Sequence, residues 1–233
     1  MSQNKRGNPR RSIFFADAGK LRAMKTAFLF DLDGTLLDSK GDLADAANAA
    51  RTALGLAPLP DAEVEKHTGW GMAMLLKGVL PEADAAGLER ARELFIAYYK
   101  AHLAVRSRPY PSVPAMFDVL AGHPLGLVTN KPAMFGAPLL DLLDWTRRFD
   151  VRVFGDSLPE RKPAPEPLLH AIDRLGYTKA DCVYVGDTPI DRETAAAAGV
   201  RFVCVAWGRA ASESTEVLDD LTGLATLPGI SRG

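Results

Sequence analysis

In the second half of the chain, short apolar runs alternate with longer segments whose apolar residues recur every three or four positions. The apolar runs cover residues 125–128, 151–154, 182–185 and 202–205. Segments with helical spacing lie between them, over residues 113–120, 132–143, 165–175 and 189–198. Short buried strands that alternate with helices of this length indicate a parallel sheet covered on both faces. The pattern therefore predicts an α/β fold with a Rossmann-like core.

A further apolar run, Ala27–Phe30, lies upstream and is long enough for one buried strand. From residue 40 to about 105 the pattern changes, because apolar residues there recur at helical spacing and no convincing strand is found. This region is predicted to be an inserted helical cap. We therefore expect residues 24–39 and 108–233 to form the core and residues 40–107 to form the cap.

Both ends of the chain differ from this pattern. Residues 1–23 are rich in Arg, Lys, Ser, Asn and Gly, and their apolar stretch is too short for a secretion signal. They are interpreted as a disordered extension or as the result of a start codon placed too far upstream, with an organelle transit peptide as the alternative. In the tail from Ala210, a short helix is expected around residues 216–221.

Composition narrows the classes of partner. The formal net charge is -1, so there is no electrostatic reason to expect nucleic acid or an anionic membrane as a partner. No segment approaches the ~20 consecutive apolar residues of a membrane span. Cys182 and Cys204 lie inside apolar runs and are predicted to be core residues in a reducing compartment, which favours a cytoplasmic location. The oligomeric state is left open.

Carboxylates follow directly after the first predicted strand. Asp31 and Asp33 are two residues apart, so in an extended chain both side chains point to the same side. Two like charges this close favour a site that holds a cation or a shared proton. Gly34 allows the chain to turn at once, and Thr35 adds a hydroxyl beside the acids. Asp-Gly alone is also typical of an ordinary polar turn.

Three more polar clusters follow strands or precede helices of the predicted core, and in a parallel sheet such positions converge on one edge. These clusters are Thr129-Asn130, Lys162-Pro163 and the segment from Gly186 to Asp191. The carboxylates of Asp31, Asp33 and Asp187 are hard oxygen donors of the kind that Mg²⁺ prefers. Together with the hydroxyl, amide and ammonium groups of the other clusters, they predict a magnesium-dependent phosphate site.

The motifs that carry this chemistry are Asp-x-Asp-Gly-Thr-Leu-Leu-Asp-Ser, Val-Thr-Asn-Lys, Lys-Pro-x-Pro-x-Pro and Gly-Asp-Thr-x-x-Asp, in that order. Over residues 24 to about 208 they resemble the motifs of the haloacid dehalogenase superfamily of phosphohydrolases. The helical insert after the first motif is similar to the mobile cap of the phosphoglycolate phosphatase branch. The resemblance implies a phosphatase acting on a small phosphorylated metabolite, and 2-phosphoglycolate is the preferred substrate.

The resemblance also implies roles for individual residues. Asp31 would be the nucleophile that forms an aspartyl-phosphate, and Asp33 would protonate the leaving oxygen and later activate water. Mg²⁺ would be held by Asp31, by the main-chain carbonyl of Asp33 and by Asp187, with Asp191 as an outer-shell or water-mediated ligand. The residues expected to bind the phosphoryl group or the rest of the substrate are Gly34, Thr35, Thr129, Asn130 and Lys162.

Other functions of the same superfamily stay open. A sugar phosphomutase uses the same two aspartates, and pyrophosphatase and nucleotidase activities are further alternatives. A non-enzymatic Mg²⁺- or phosphate-binding regulator is the alternative outside catalysis, although none of the catalytic acids is missing. In the insert, Trp70 is expected to pack in the core or the lid. Contact between substrate and residues 68–71 is left open.

Overall fold

The structure is a computed structural model that describes residues 25–230. The extension predicted for residues 1–23 lies outside the described residues. Among the residues described, no helix has the length and apolar character needed to cross a membrane.

The main elements follow one another in the order that the apolar pattern predicts. The strands are β1 (Ala27–Phe30), β2 (Leu37–Asp38), β3 (Arg108–Pro109), β4 (Leu125–Val128), β5 (Val151–Val153), β6 (Cys182–Gly186), β7 (Arg201–Val205) and β8 (Val217–Leu218). The α-helices are α1 (Lys40–Ala53), α2 (Asp61–Glu65), α3 (Met72–Val79), α4 (Ala85–Ala101), α5 (Val113–Val119), α6 (Ala133–Leu142), α7 (Glu166–Leu175) and α8 (Pro189–Ala198). Short 3-10 helices lie at Thr146–Arg148, Lys179–Asp181, Ala211–Glu213 and Leu221–Thr226.

Six strands form one parallel sheet in the order β5-β4-β1-β6-β7-β8. Strand β1 lies inside it, with Phe30 paired to Leu127 of β4 and to Val185 of β6. The carboxyl ends of these three strands therefore meet at one point on the sheet edge, which is where ligands bind in open α/β sheets. The predicted α/β fold with a Rossmann-like parallel sheet is confirmed.

Helices cover both faces of the sheet, which explains why its strands are continuously apolar. Phe28 and Phe30 belong to a buried cluster with α5 and α6, through side chains such as Met116. The alternate residues, Ala27 and Leu29, belong to a second buried cluster with α7 and α8. Successive side chains of a strand point to opposite faces, so a strand covered on both sides has no polar face.

Helices α1 to α4 pack around a buried cluster of their own, to which Phe135 of α6 also contributes. The segments that lead into and out of this helical insert, defined as residues 40–107, pair as the antiparallel strands β2 and β3. Beside them the Asp42 carboxylate accepts hydrogen bonds from the backbone N–H groups of Arg106 and Ser107, at 2.7 and 2.9 Å. The exact division into core and cap stays a prediction.

The C-terminal tail differs from its prediction. A helix was expected around residues 216–221, but Val217–Leu218 is a strand that pairs in parallel with β7. The helix prediction is wrong because the Glu216 carbonyl accepts a hydrogen bond from the Cys204 N–H, which holds the segment extended at the sheet edge. The prediction that Cys182 and Cys204 are core residues is confirmed, since both are free and buried.

Candidate active site

The side chains at the carboxyl ends of β1 and β6 meet in one buried cluster. Asp31 follows β1 and donates its backbone N–H to the Val185 carbonyl at 2.9 Å, which continues the ladder by one residue. Lys162, on the loop before α7, places its Nζ 2.7 Å from Asp31 Oδ1 and 2.7 Å from Asp191 Oδ1. Asp187 follows β6, and its carboxylate lies within 4.8 Å of those of Asp31 and Asp191.

Lys162 is held in place by groups that are themselves fixed. Besides the two carboxylates, its ammonium donates to the Tyr184 hydroxyl at 2.9 Å, and that hydroxyl lies 2.9 Å from Asp191 Oδ1. The second Asp191 oxygen accepts from the backbone N–H and the hydroxyl of Thr188, at 3.0 and 2.6 Å, in a capping box at the start of α8. Asp191 therefore joins the helix cap to the lysine.

Asp33 lies on the outer side of the cluster and is less buried than Asp31. Its Oδ1 accepts from the Ser39 hydroxyl at 2.6 Å, and the Lys131 ammonium lies 3.0 and 3.1 Å from its two oxygens. Lys131 also donates to the hydroxyl of Tyr99, on α4 of the helical insert, at 2.8 Å. A chain of hydrogen bonds thus links Asp33 to the insert.

Burial and like charges act against ionisation in the cluster. Burial, together with Asp191 and Asp33, raises the pKa of Asp31 to about 7, although Lys162 opposes the shift. The pKa of Asp187 is raised well above its usual range by burial and by the charges of Asp191 and Asp31. In Asp191, the donors from Lys162 and Thr188 outweigh burial, so its pKa is lowered. If all three carboxylates were ionised, they would carry more negative charge than Lys162 balances.

These residues fit a divalent cation. Asp31, Asp187 and Asp191 are all buried and can each direct one carboxylate oxygen to a common point. Oxygen donors of this kind suit Mg²⁺, which takes a few carboxylates and keeps other positions for water and phosphate oxygens. A divalent ion would also offset the negative charge of the ionised carboxylates. That charge is unfavourable when buried, which is why the pKa values of Asp31 and Asp187 are raised. Both Asp191 oxygens already accept hydrogen bonds from protein groups, which agrees best with an outer-shell position.

Gly34 and Thr35 support Asp187 from the turn after β1. The Thr35 hydroxyl, which is fully buried, donates to Asp187 Oδ1 at 3.1 Å. Gly34 has φ +91°, a backbone conformation that other residues rarely adopt, and a Cβ there would lie 2.7 Å from Asp187 Cγ and closer still to Oδ2. Both residues therefore contact the candidate metal ligand, and their predicted role in binding substrate stays a prediction.

Thr129 and Asn130 follow β4 and are both buried. The Asn130 side chain bonds to the backbone of Lys162, donating to its carbonyl at 3.0 Å and accepting from its N–H at 3.1 Å. It also donates to the Gly69 carbonyl of the insert at 3.1 Å. Asn130 thus ties together the lysine loop and the insert, and Thr129 lines the cavity beside it. That either residue binds substrate stays a prediction.

The cavity between the sheet edge and the insert has a volume of about 50 Å³. By the same measure a single water needs roughly 10–15 Å³, so only a small molecule fits. Its polar end is formed by residues of the sheet edge, namely Asp31, Asp33, Thr129, Asn130, Lys131, Lys162, Thr188 and Asp191. The side that faces the insert is mostly apolar and includes Leu43, Met72, Leu75, Phe95 and Phe135.

The loop between α2 and α3 closes one side of this cavity. Thr68, Gly69 and Gly71 line it, whereas Trp70 is 44% exposed, so the expectation that Trp70 packs in the core or lid is wrong. Gly69 and Gly71, on either side of Trp70, both have positive φ, a backbone conformation that other residues rarely adopt. Arg209, on the loop after β7, donates to the carbonyls of Glu65 and Thr68, at 3.1 and 2.8 Å.

Three side chains of the site were missed by the sequence analysis. Lys131 is the last residue of the Val-Thr-Asn-Lys motif, which was an available signal, but no role was assigned to it. Tyr184 lies inside an apolar strand, where a buried hydroxyl must find a hydrogen-bond partner. Tyr99 fits the apolar stripe of α4, and nothing in its sequence context indicates that its hydroxyl reaches Lys131.

Comparison with known proteins identifies the family of this chain. The family model described as haloacid dehalogenase-like hydrolase matches residues 28–205. The chain therefore belongs to this family, and the resemblance drawn from its motifs is confirmed.

Individual relatives and solved structures also match most of the chain. A phosphoglycolate phosphatase of Xylella fastidiosa (strain 9a5c) is 43% identical over 188 residues, covering 80% of this chain and 82% of the relative. A phosphoglycolate phosphatase of Neisseria meningitidis is 43% identical over 189 residues, covering 78% and 80%. A crystal structure from Haemophilus somnus, described as a predicted phosphoglycolate phosphatase, superposes with a TM-score of 0.82 at 28% identity and covers 87% of this chain and 97% of that one. The predicted enzyme class, a phosphatase, is confirmed.

Proposed function

We propose that this chain hydrolyses 2-phosphoglycolate, a small phosphate monoester, in a Mg²⁺-dependent reaction that passes through an aspartyl-phosphate on Asp31. The observation that carries the proposal is the contact between buried Asp31 and Lys162, at 2.7 Å, in one cavity with Asp33. The relatives named phosphoglycolate phosphatase, at 43% identity, support the choice of substrate. The small volume of the cavity supports a small leaving group.

In the first step a carboxylate oxygen of Asp31 attacks phosphorus. The bond between phosphorus and the ester oxygen breaks, and Asp33 donates a proton to that oxygen, so that glycolate leaves. A covalent intermediate divides one difficult hydrolysis into two easier steps. General acid catalysis contributes about 10²- to 10⁴-fold, so most of the acceleration must come from positioning and from neutralisation of charge.

In the second step a water attacks the phosphorus of the aspartyl-phosphate. Asp33, now ionised, accepts a proton from that water, and the bond between phosphorus and the Asp31 oxygen breaks. Inorganic phosphate is released and both carboxylates return to their starting state. Asp33 suits this double role because Ser39 and Lys131 hold its carboxylate in one orientation, with the cavity on its open side.

The transferring phosphoryl group is bound by donors of the sheet edge. Lys162 supplies a buried positive charge next to the attacking oxygen, and Thr129 supplies a hydroxyl directly after the neighbouring strand β4. Asp191 positions Lys162 through the 2.7 Å hydrogen bond between them. Mg²⁺, held by Asp31, Asp187 and the Asp33 carbonyl with Asp191 in the outer shell, would neutralise charge on the phosphoryl oxygens.

The proposal is tested by assaying phosphate release from the purified full-length chain. The panel contains 2-phosphoglycolate, sugar phosphates, pyrophosphate and nucleoside monophosphates, each with Mg²⁺ and with EDTA. We expect release to require Mg²⁺ and 2-phosphoglycolate to rank at or near the top by kcat/KM. A sugar phosphate, pyrophosphate or a nucleotide ranked far above it would contradict the substrate. Release that is unchanged by EDTA would contradict the metal dependence.

A further inference from the structure

We propose that Lys131 and Tyr99 form a recognition site for a carboxylate on the leaving group, so that the enzyme selects phosphate esters of small α-hydroxy acids. This inference rests on the proposed function, because it places the leaving oxygen beside Asp33. It assigns a role to two side chains that the proposed chemical steps do not use as reactants.

Lys131 lies close to the position expected for the leaving oxygen. Its Nζ lies 3.0 and 3.1 Å from the two oxygens of Asp33. A leaving oxygen that receives a proton from Asp33 must also lie about 2.6–3.2 Å from that carboxylate. The leaving oxygen and the Lys131 ammonium are therefore both neighbours of one carboxylate and lie within about 6 Å of each other. A carboxylate one carbon away from the ester oxygen fits into this interval.

The charges that line the cavity leave Lys131 as the cation available to the leaving group. Among residues 25–230, Lys131 and Lys162 are the cationic side chains that line it. Lys162 is engaged by Asp31 and Asp191 at the phosphoryl end. Lys131 is the cation that faces the leaving group, and a buried ammonium binds a carboxylate more strongly than it binds a neutral acceptor.

The hydroxyl of Tyr99 can donate a hydrogen bond to the same substrate carboxylate. The Tyr99 oxygen accepts a hydrogen bond from Lys131 at 2.8 Å, so its own O–H proton is left for another acceptor. Within the described residues no acceptor for that proton is recorded, although Tyr99 is 1% exposed and lines the cavity. A substrate carboxylate would satisfy this donor and the ammonium together.

The rest of the lining explains why larger polar leaving groups are disfavoured. Beyond Lys131, the cavity wall is formed by apolar side chains such as Leu75, Phe95 and Phe135. Sugar hydroxyls placed against these side chains would lose hydrogen bonds to water without replacement. A short acid presents only a methylene to the apolar wall and its charge to Lys131.

The test compares 2-phosphoglycolate with its neutral amide, phosphoglycolamide, which has the same number of heavy atoms. In the wild-type enzyme we expect kcat/KM to be about 10- to 100-fold higher for the acid, the range typical of a hydrogen bond to a charged group. In Lys131→Met the preference falls to within about threefold, mainly through a raised KM for the acid. Lys131→Arg keeps part of the preference, and Tyr99→Phe reduces it.

The matched control is Lys77→Met, because Lys77 is an exposed lysine of α3 that does not line the cavity. This variant is expected to keep the wild-type preference. If Lys131→Met lowers kcat by the same factor for both substrates, Lys131 only positions Asp33 and the inference is overturned. If Lys131→Met does not fold, the inference is judged from the acid-to-amide ratios of kcat/KM in the wild type and in Tyr99→Phe. Equal rates for acid and amide in the wild type overturn this inference alone, whereas hydrolysis of neither ester overturns the proposed function as well.

Discussion

Asp191 Oδ1 lies 2.7 Å from Lys162 Nζ, and both side chains are buried. The two residues come from different segments, since Lys162 precedes α7 and Asp191 belongs to the first turn of α8. Through this pair the start of α8 fixes the ammonium that contacts Asp31. The stability of the fold and the geometry of the proposed nucleophile are therefore linked by one hydrogen bond.

We expect Asp191→Asn to destabilise the protein. Removal of one partner leaves Lys162 with less compensation for its buried charge, which typically costs about 3–5 kcal/mol. For a chain of this size the melting temperature should fall by about 6–20 °C. The matched control is Asp173→Asn at an exposed position of α7, expected to stay within about 0.5 kcal/mol of wild type. A melting temperature equal to that of the control would show that the pair contributes little.

Asp31→Asn should abolish turnover without unfolding the chain. The amide keeps the shape of the side chain but is not a competent nucleophile, and loss of a nucleophile lowers kcat by about 10⁴- to 10⁶-fold. The measurement is phosphate release from 2-phosphoglycolate, with circular dichroism to verify folding and Asp173→Asn as the control. A folded Asp31→Asn variant with near-normal kcat would exclude Asp31 as the nucleophile.

The stability of the metal-free protein should fall as pH rises from about 4 to about 7. Burial raises the pKa of Asp31 from 3.8 to about 7, so between these values the folded state binds more protons than the unfolded state. The free energy of unfolding then decreases with rising pH. The measurement is the melting temperature in EDTA across this pH range.

Mg²⁺ should reverse this loss, because it binds ionised carboxylates of the folded state. At a concentration of about 100 times Kd it adds about 2.7 kcal/mol, or about 5–11 °C in melting temperature. The increase should be larger at pH 8 than at pH 5.5, since protons compete with the metal at the lower pH. An identical shift at both pH values would argue against metal binding by the buried aspartates.

Gly34→Ala should impair the candidate metal site, whereas Gly55→Ala should leave that site intact. Both glycines have positive φ, at +91° and +79°, so alanine is strained at each by about 1–2 kcal/mol. A Cβ at position 34 would also collide with the Asp187 carboxylate, whereas nothing lies within 4 Å of one at position 55.

The measurements for this pair are kcat and the Mg²⁺-dependent increase in melting temperature. Displacement of Asp187 by about 1 Å is expected to lower kcat by about 10²-fold and to reduce the increase. The control Gly55→Ala should keep both. If the two variants behave alike, backbone strain alone explains the effect and close packing of Gly34 against Asp187 is not required.

Much of this protein follows from local sequence. The continuous apolar character of Ala27–Phe30 and of the other sheet strands predicts burial on both faces, and the carboxylates after β1 predict a polar cluster at its end. The order of the motifs predicts the family, and the helical spacing of residues 189–198 predicts the bounds of α8. These features depend on neighbours within a few positions, which a sequence displays directly.

Only the tertiary structure decided which distant residues contact one another at the site and at the edge of the sheet. The sequence alone does not indicate that Tyr99 of the insert reaches Lys131, that Tyr184 contacts Lys162, or that residues 217–218 join the sheet. Each of these contacts joins positions far apart in the chain, and a tyrosine in an apolar stripe has the same local pattern whether or not its hydroxyl finds a charged partner. Local pattern determines which face of an element is buried, but only the packing of whole elements determines which polar atoms meet there.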